Sequence, residues 1–172
     1  MNDDRRRFIR YAAGVALPAA AVGVAGSGVA RAADGDAKEF LGAWTTIHSL
    51  PFPPNWFREF LTFSTGGGVL ESNTFLNMAG SQDFSAFGLP RAIKASDGMG
   101  TWELVSTGKI TVAFRKLLFD GAGNYFADLK VTGTLQSDGA KIFGDWLISA
   151  MDVNDKLLVP FGPATTEGTR IR

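Results

Sequence analysis

The chain has 172 residues, with 17 basic and 17 acidic side chains, one histidine and no cysteine. Its length fits one domain, and an apolar fraction of 45% is typical of a globular core. The absence of cysteine excludes disulfides, and one histidine makes a transition-metal site unexpected. We therefore expect a core that is stable without cross-links, with no metal and no cofactor.

Residues 1–32 have the pattern of an export signal. A basic start precedes a mild Ala/Gly/Val stretch, and Ala30-Arg31-Ala32 fits the small-residue cleavage pattern, which predicts a cut after Ala32. Arg5-Arg6-Arg7-Phe8-Ile9-Arg10 resembles the twin-arginine signal, in which two arginines, any residue and two apolar residues are followed by a base. An ordinary secretory signal and an uncleaved anchor are the alternatives, but Pro18 and several glycines disfavour a stable span.

A twin-arginine signal implies that residues 33–172 fold before export and reach the bacterial periplasm or the exterior, with the translocase as a transient partner. Without residues 1–32 the chain keeps 12 basic and 15 acidic residues, so no basic surface indicates nucleic-acid binding. No basic amphipathic helix indicates a membrane surface, and we expect no stable membrane insertion after cleavage.

The first half of the mature sequence predicts three strands. Glu39–Ser49 is the first, and a proline-rich loop follows it, carrying Phe52 and Trp56 as aromatics prone to exposure. Phe57–Ser64 and Val69–Leu76 are the next two, joined by a glycine turn that lacks the Lys-Ser/Thr of a phosphate-binding loop.

Residues 77–99 are the least regular stretch and predict a long functional loop or lid. Ser81 is a candidate cap for a short helical turn through Phe87, which Gly88 and Pro90 would end. The apolar side chains of this stretch are expected to cover one mouth of a barrel: Phe84, Phe87, Leu89 and Ile93.

Residues 100–151 predict a meander of long hairpins, because β-branched and aromatic runs alternate with turns at 106–108, 120–123 and 137–139. Lys156–Phe161 and Thr165–Ile171 add strands interrupted at Gly162-Pro163. Within Asn124–Gln136 polar and apolar residues alternate, and the dry face comprises Tyr125, Ala127, Leu129, Val131, Gly133 and Leu135. With almost no helix-forming sequence to cover that face, we predict an all-β fold, a single antiparallel up-and-down barrel of eight or nine strands.

The sequence resembles two families of β-barrel proteins. Gly42-Ala43-Trp44 matches the G-x-W element of lipocalin-like (calycin) barrels, and Arg170 lies where that family often packs an arginine across the tryptophan. The later hairpins also look like allene-oxide-cyclase-type barrels. The first resemblance implies a binding protein, and the second implies that the barrel could be an isomerase or cyclase.

The aromatic side chains of the predicted strands indicate which residues would contact a ligand in the lumen. Trp146 is an alternative to Phe143, and the expected ligand-contacting set is Trp44, Phe63, Phe75, Trp102, Phe114, Tyr125, Leu129 and Phe143. Seven such rings could equally fill the barrel and leave no room for a ligand.

Four polar residues are candidates for acid–base or charge chemistry. His48 shares a face with Trp44, and Glu59 and Glu71 share faces with apolar residues of neighbouring strands, so both carboxylates would enter the lumen. Arg115 interrupts an apolar strand and could meet a ligand carboxylate. The alternative interpretation is an ordinary hydrogen-bonded histidine and solvated surface charges.

Three functions remain open on the sequence alone. The first is binding of one small hydrophobic or amphipathic molecule in the lumen. The second is a barrel isomerase or cyclase. The third is a ligand-free barrel with a structural or partner-binding role.

Overall fold

The computed structural model describes residues 37–51, 55–76, 82–91 and 93–172. The predicted export signal and its cleavage site, together with Phe52 and Ser81, lie outside these ranges. Within the described part, no helix is long and apolar enough to span a membrane. The strands there are β1 (Gly42–Ser49), β2 (Trp56–Phe63), β3 (Gly68–Asn73), β4 (Lys94–Ala95), β5 (Gly98–Ser106), β6 (Lys109–Phe119), β7 (Tyr125–Ser137), β8 (Lys141–Met151) and β9 (Leu157–Arg170).

The strands form one closed antiparallel barrel. Going round the ring, the order is β1, β2, β3, β5, β6, β7, β8 and β9, and β9 pairs with β1 to close it. The two-residue strand β4 is an extra strand. It pairs with the last residues of β6, beyond the residues of β6 that pair with β5. The predicted all-β, eight-stranded up-and-down barrel is confirmed.

Three boundaries differ from the prediction. Residues 37–40 form a turn, so the first strand begins at Gly42 and not at Glu39. The irregular stretch is shorter than expected, since β4 begins at Lys94. The predicted interruption at Gly162-Pro163 is wrong, because β9 continues through it and accommodates Phe161 as a bulge, with Gly162 at a φ of +81°.

One end of the barrel is filled by side chains. The Arg170 guanidinium lies 4.3 Å from the centre of the Trp44 ring, so the expected stacking is confirmed. The same guanidinium donates to the carbonyls of Glu39 and Leu41, and Trp44 Nε1 donates to the Phe40 carbonyl at 2.7 Å. These contacts tie the start of β1 to the end of β9, where the ring closes.

Candidate functional site

The other end of the barrel contains a cavity of about 50 Å³. It lies where β1, β6 and β8 end and where β2, β7 and β9 begin. Phe84 closes its mouth, with its ring centre 5.8 Å from that of Phe75 and 5.4 Å from that of Phe161. The described part of the segment after β3 therefore covers the mouth, as the sequence predicts.

A buried histidine–carboxylate pair forms one part of the cavity wall. His48 on β1 and Glu59 on β2 are each 3% exposed, and His48 Nε2 lies 3.0 Å from Glu59 Oε1. Both face inward because alternate residues of these strands do: the burial of β2 alternates at every position.

The neighbours of His48 Nε2 indicate that this ring nitrogen carries a proton. The hydroxyls of Thr46 and Thr166 also lie near this nitrogen, at 3.2 and 3.4 Å. Each hydroxyl donates its own proton to a backbone carbonyl, so each presents a lone pair to the ring. Three acceptors around one nitrogen require it to carry the proton, and we assign His48 the Nε2–H form, donating to Glu59.

A second buried pair, between a lysine and a glutamate, lies beside the first. Lys116 on β6 is 1% exposed, and its Nζ donates to Glu71 Oε1 at 2.9 Å and lies 2.6 Å from Oε2. Asn73 Nδ2 donates to the same Oε1 at 2.7 Å. Asn73 Oδ1 accepts from the backbone N–H groups of Phe75 and Leu76, which ends β3 and fixes the amide.

These neighbours change the acidity of Glu71. Burial, and after it the nearby Glu59 carboxylate, raise the pKa of the Glu71 carboxyl against the opposing effect of the Lys116 ammonium, from 4.5 to about 8 in all. The carboxyl therefore holds its proton near neutral pH. We refer to His48, Glu59, Glu71, Asn73 and Lys116 as the polar cluster.

The structure divides the predicted ligand-contacting residues into three groups. Phe75, Phe114 and Leu129 line the cavity. Trp44, Phe63 and Trp102 are buried within the barrel but do not line the cavity. The remaining two, Tyr125 and Phe143, are 44% and 42% exposed on the outer face, so their expected inward orientation is wrong.

Both errors have a local cause. At the start of β7, Leu118 pairs with Ala127 and Phe119 pairs with Tyr125, so Phe126 is an extra residue and the alternation breaks there. On β8, Phe143 and Trp146 have opposite parity, and it is Trp146 that faces inward.

The candidate polar residues also separate by side. His48, Glu59 and Glu71 enter the lumen, as strand parity predicts. Arg115 does not: it lies outside the barrel and pairs with Asp128 at 3.0 Å and Asp155 at 2.6 Å.

Lys116 is the polar residue of β6 that faces inward, and the sequence analysis did not identify it. The signal was present, since Ile110, Val112, Phe114 and Lys116 share one parity.

The fold and the site together define a small closed β-barrel with a polar cluster beside an apolar cavity. Within the described ranges, no group of three or more His, Cys, Asp or Glu residues is arranged to hold a metal ion. Comparisons with protein-family models, with curated proteins and with solved structures found no match for this chain. The closed eight-stranded barrel is compatible with the lipocalin-like resemblance of its sequence.

Proposed function

We propose that the barrel binds one small, mainly apolar molecule in its lumen, with the polar part of that molecule toward the polar cluster. One observation carries this proposal: the cavity wall is apolar except for buried polar side chains that converge on it from four strands. Apolar pockets with a few placed polar groups are the usual form of small-molecule sites. A barrel serving only as a scaffold has no need of buried charges, because apolar residues of similar size are at least as stabilising.

The size of the cavity limits how the molecule is accommodated. At about 50 Å³ the space is smaller than the roughly 150 Å³ that holds benzene in an engineered protein cavity. A ligand of more than a few heavy atoms therefore displaces side chains at the mouth. Phe84 and Phe75 are the side chains that we expect to move, since they meet edge to face across the opening.

Native mass spectrometry of protein purified from its own host tests the binding proposal. We expect an additional bound mass that is released on unfolding. Leu129→Trp replaces an aliphatic side chain of the cavity wall by a bulky indole and should abolish the bound mass, whereas Leu70→Trp, on the outer face of β3, should retain it. A wild-type protein without bound mass, or a Leu129→Trp variant that keeps it, would contradict the proposal.

A second candidate function is an acid–base isomerase or cyclase acting on the bound molecule. The observation that favours it is the raised pKa of Glu71, which lies near the buried His48–Glu59 pair. A carboxyl that holds a proton near pH 7 can deliver it to a substrate, and a neighbouring carboxylate or imidazole can remove one. Conversion of the extracted ligand to an isomer by wild-type protein, and not by Glu71→Gln, would support this function. An unchanged ligand would exclude it for that molecule.

We further propose that the chain is exported in folded form through the twin-arginine translocase to the periplasm or the exterior. The support is the Arg5-Arg6 pair and the small-residue site at Ala30–Ala32. Replacing both Arg5 and Arg6 by lysine should keep the full-length chain in the cytoplasm. Arg7→Lys, at the position where the signal accepts any residue, is the control and should be exported and cleaved. Export of the double variant would contradict this route.

A further inference from the structure

The indole N–H of Trp146 is a buried donor in the cavity wall. Trp146 is 2% exposed and lines the cavity, and its Nε1 has no hydrogen-bond acceptor among the described residues. Two other tryptophans of the barrel are satisfied: Trp44 Nε1 donates to the Phe40 carbonyl and Trp102 Nε1 to the Ser64 carbonyl. Buried indole N–H groups usually have a partner, so the unmatched one indicates where an acceptor belongs.

The position of the Trp146 ring is fixed by its neighbours. Its Cε3 edge lies against Gly133 on β7, where an added Cβ would come within 2.5 Å of Cε3. Nε1 is on the opposite edge of an indole. His48 and Phe114 also pack against the indole, with ring centres 5.8 and 5.7 Å away. The donor is therefore held in place before any ligand arrives.

The other polar side chains in the cavity wall already have partners. His48 Nε2–H donates to Glu59, and Lys116 Nζ donates to Glu71. The Asn73 amide donates to Glu71 and accepts from two backbone N–H groups. A ligand that takes its hydrogen bond from Trp146 leaves all of these contacts intact.

We propose that the molecule bound in the cavity carries a neutral hydrogen-bond acceptor, of the carbonyl class, that accepts from Trp146 Nε1–H. This inference rests on the proposed binding function. The head group is neutral because the amino and imidazole groups of the polar cluster already have acidic side chains as partners, Glu71 for Lys116 and Glu59 for His48. A carboxylate ligand would add a third acidic group to a site of low dielectric in which Lys116 and His48 are already engaged by acidic partners.

Three probes of matched shape test the chemistry of the head group: 2-pentanone, 2-methyl-1-pentene and butanoate. All three carry the same propyl chain, and they differ in having a carbonyl, a methylene or a carboxylate at its end. The readout is the set of indole N–H signals in a nitrogen-15 correlation spectrum, in which the four tryptophans give one signal each. Trp146→Phe identifies the relevant signal by removing it.

We expect wild-type protein to bind the ketone about tenfold more tightly than the alkene, the equivalent of one ordinary hydrogen bond. Binding of the ketone should move the Trp146 signal downfield. Trp146→Phe should bind the ketone and the alkene equally, whereas Trp102→Phe, whose ring lies away from the cavity, should keep the preference.

The remaining outcomes separate the two proposals. Equal binding of ketone and alkene by wild-type protein would overturn the carbonyl inference and leave the binding function standing. Tightest binding of butanoate would overturn the neutrality of the head group alone. If none of the three probes moves the Trp146 signal, both the inference and the binding proposal fail for molecules of this size.

Discussion

Glu71 is the residue whose chemistry depends most on its position in the fold. Its carboxyl lies among Lys116, Asn73 and the carboxyl of Glu59, with bulk water excluded. Because the charged form is disfavoured by burial, the folded protein binds a proton that the unfolded chain releases at lower pH. The stability of the protein is therefore linked to pH through this side chain.

We predict that the free energy of unfolding falls as the pH rises from about 4.5 to about 8. Since the pKa of Glu71 is raised in the folded state, its stabilising contribution is complete below 4.5 and is lost as the pH passes 8. Urea denaturation of wild type and Glu71→Gln at a series of pH values should show a flatter profile for the variant.

The difference between the two profiles should be at least about 1.4 kcal/mol across this range, the equivalent of one pKa unit. Glu59 and Lys116, the titratable groups that interact with Glu71, are present in both proteins and do not by themselves produce the difference. Glu103→Gln, an exposed position on β5, should leave the profile unchanged. Parallel profiles for wild type and Glu71→Gln would show that the carboxyl keeps an ordinary pKa.

Adjacent residues on β6 offer a second prediction at this scale. Lys116→Met should destabilise the protein by about 3–5 kcal/mol at pH 9, because it leaves the ionised Glu71 buried without its cation. Arg115→Met should cost about 1 kcal/mol or less, since its pairs with Asp128 and Asp155 are on the surface. The double variant with Lys116→Met and Glu71→Gln should recover much of the lost free energy of unfolding, measured by urea denaturation. Similar losses for the two single variants would show that Lys116 is not buried.

At the scale of strands, simple alternation predicts most of the lumen. It places Glu59 and Glu71 inside on neighbouring strands, and applied consistently it also places Lys116 inside and Arg115 outside. It fails at Tyr125, because the bulge at the start of β7 adds one residue to one strand of a pair. A bulge depends on how two distant strands fit together, and neither strand shows it alone.

The sequence also does not reveal which polar side chains pair with each other within the lumen. That His48 pairs with Glu59, and Lys116 with Glu71, depends on the register of β1 with β2 and on the distance across the barrel between β3 and β6. The size of the cavity depends in turn on how the aromatic rings divide between the filled end and the open end. Both follow from closure of the ring, which alternation along single strands does not encode.

A substitution at Gly100 tests how closely strands β5 and β6 approach each other. A Cβ added at Gly100 on β5 would lie 1.9 Å from the Ala113 carbonyl oxygen and 2.5 Å from Phe114 Cα, both on the backbone of β6. Gly100→Ala should therefore force β5 and β6 apart and destabilise the protein by at least about 1–3 kcal/mol. Gly66→Ala, in the turn between β2 and β3, meets nothing within 4 Å and should change stability by less than about 1 kcal/mol in either direction. Thermal denaturation of the pair measures the difference, and equal melting temperatures would contradict the close approach.

At the scale of the whole molecule, the two ends of the barrel have different tasks. The filled end contains the Trp44–Arg170 contact and joins the first strand to the last, whereas the open end contains the cavity and the polar cluster. Stability and binding should therefore be separable by mutation.

Arg170→Met provides the test, because methionine keeps an apolar stem over Trp44 but removes the guanidinium. The loss of the cation–π contact and of charged hydrogen bonds to Glu39 and Leu41 should destabilise the protein by about 2–4 kcal/mol. Hydrogen exchange should accelerate most at the amides joining β1 and β9, since these close the ring. Affinity for a cavity ligand should change less than about threefold under conditions where the variant is folded.

Arg172→Met, at the exposed end of the chain, is the control and should leave both stability and exchange unchanged. If Arg170→Met accelerated exchange equally in all strands, closure would be a property of the whole sheet and not of this contact. If it weakened ligand binding as much as it weakened the fold, the two ends would not be independent. A variant with loosened β1–β9 pairing and near-normal binding would show that the cavity is maintained by the packing of the open end itself.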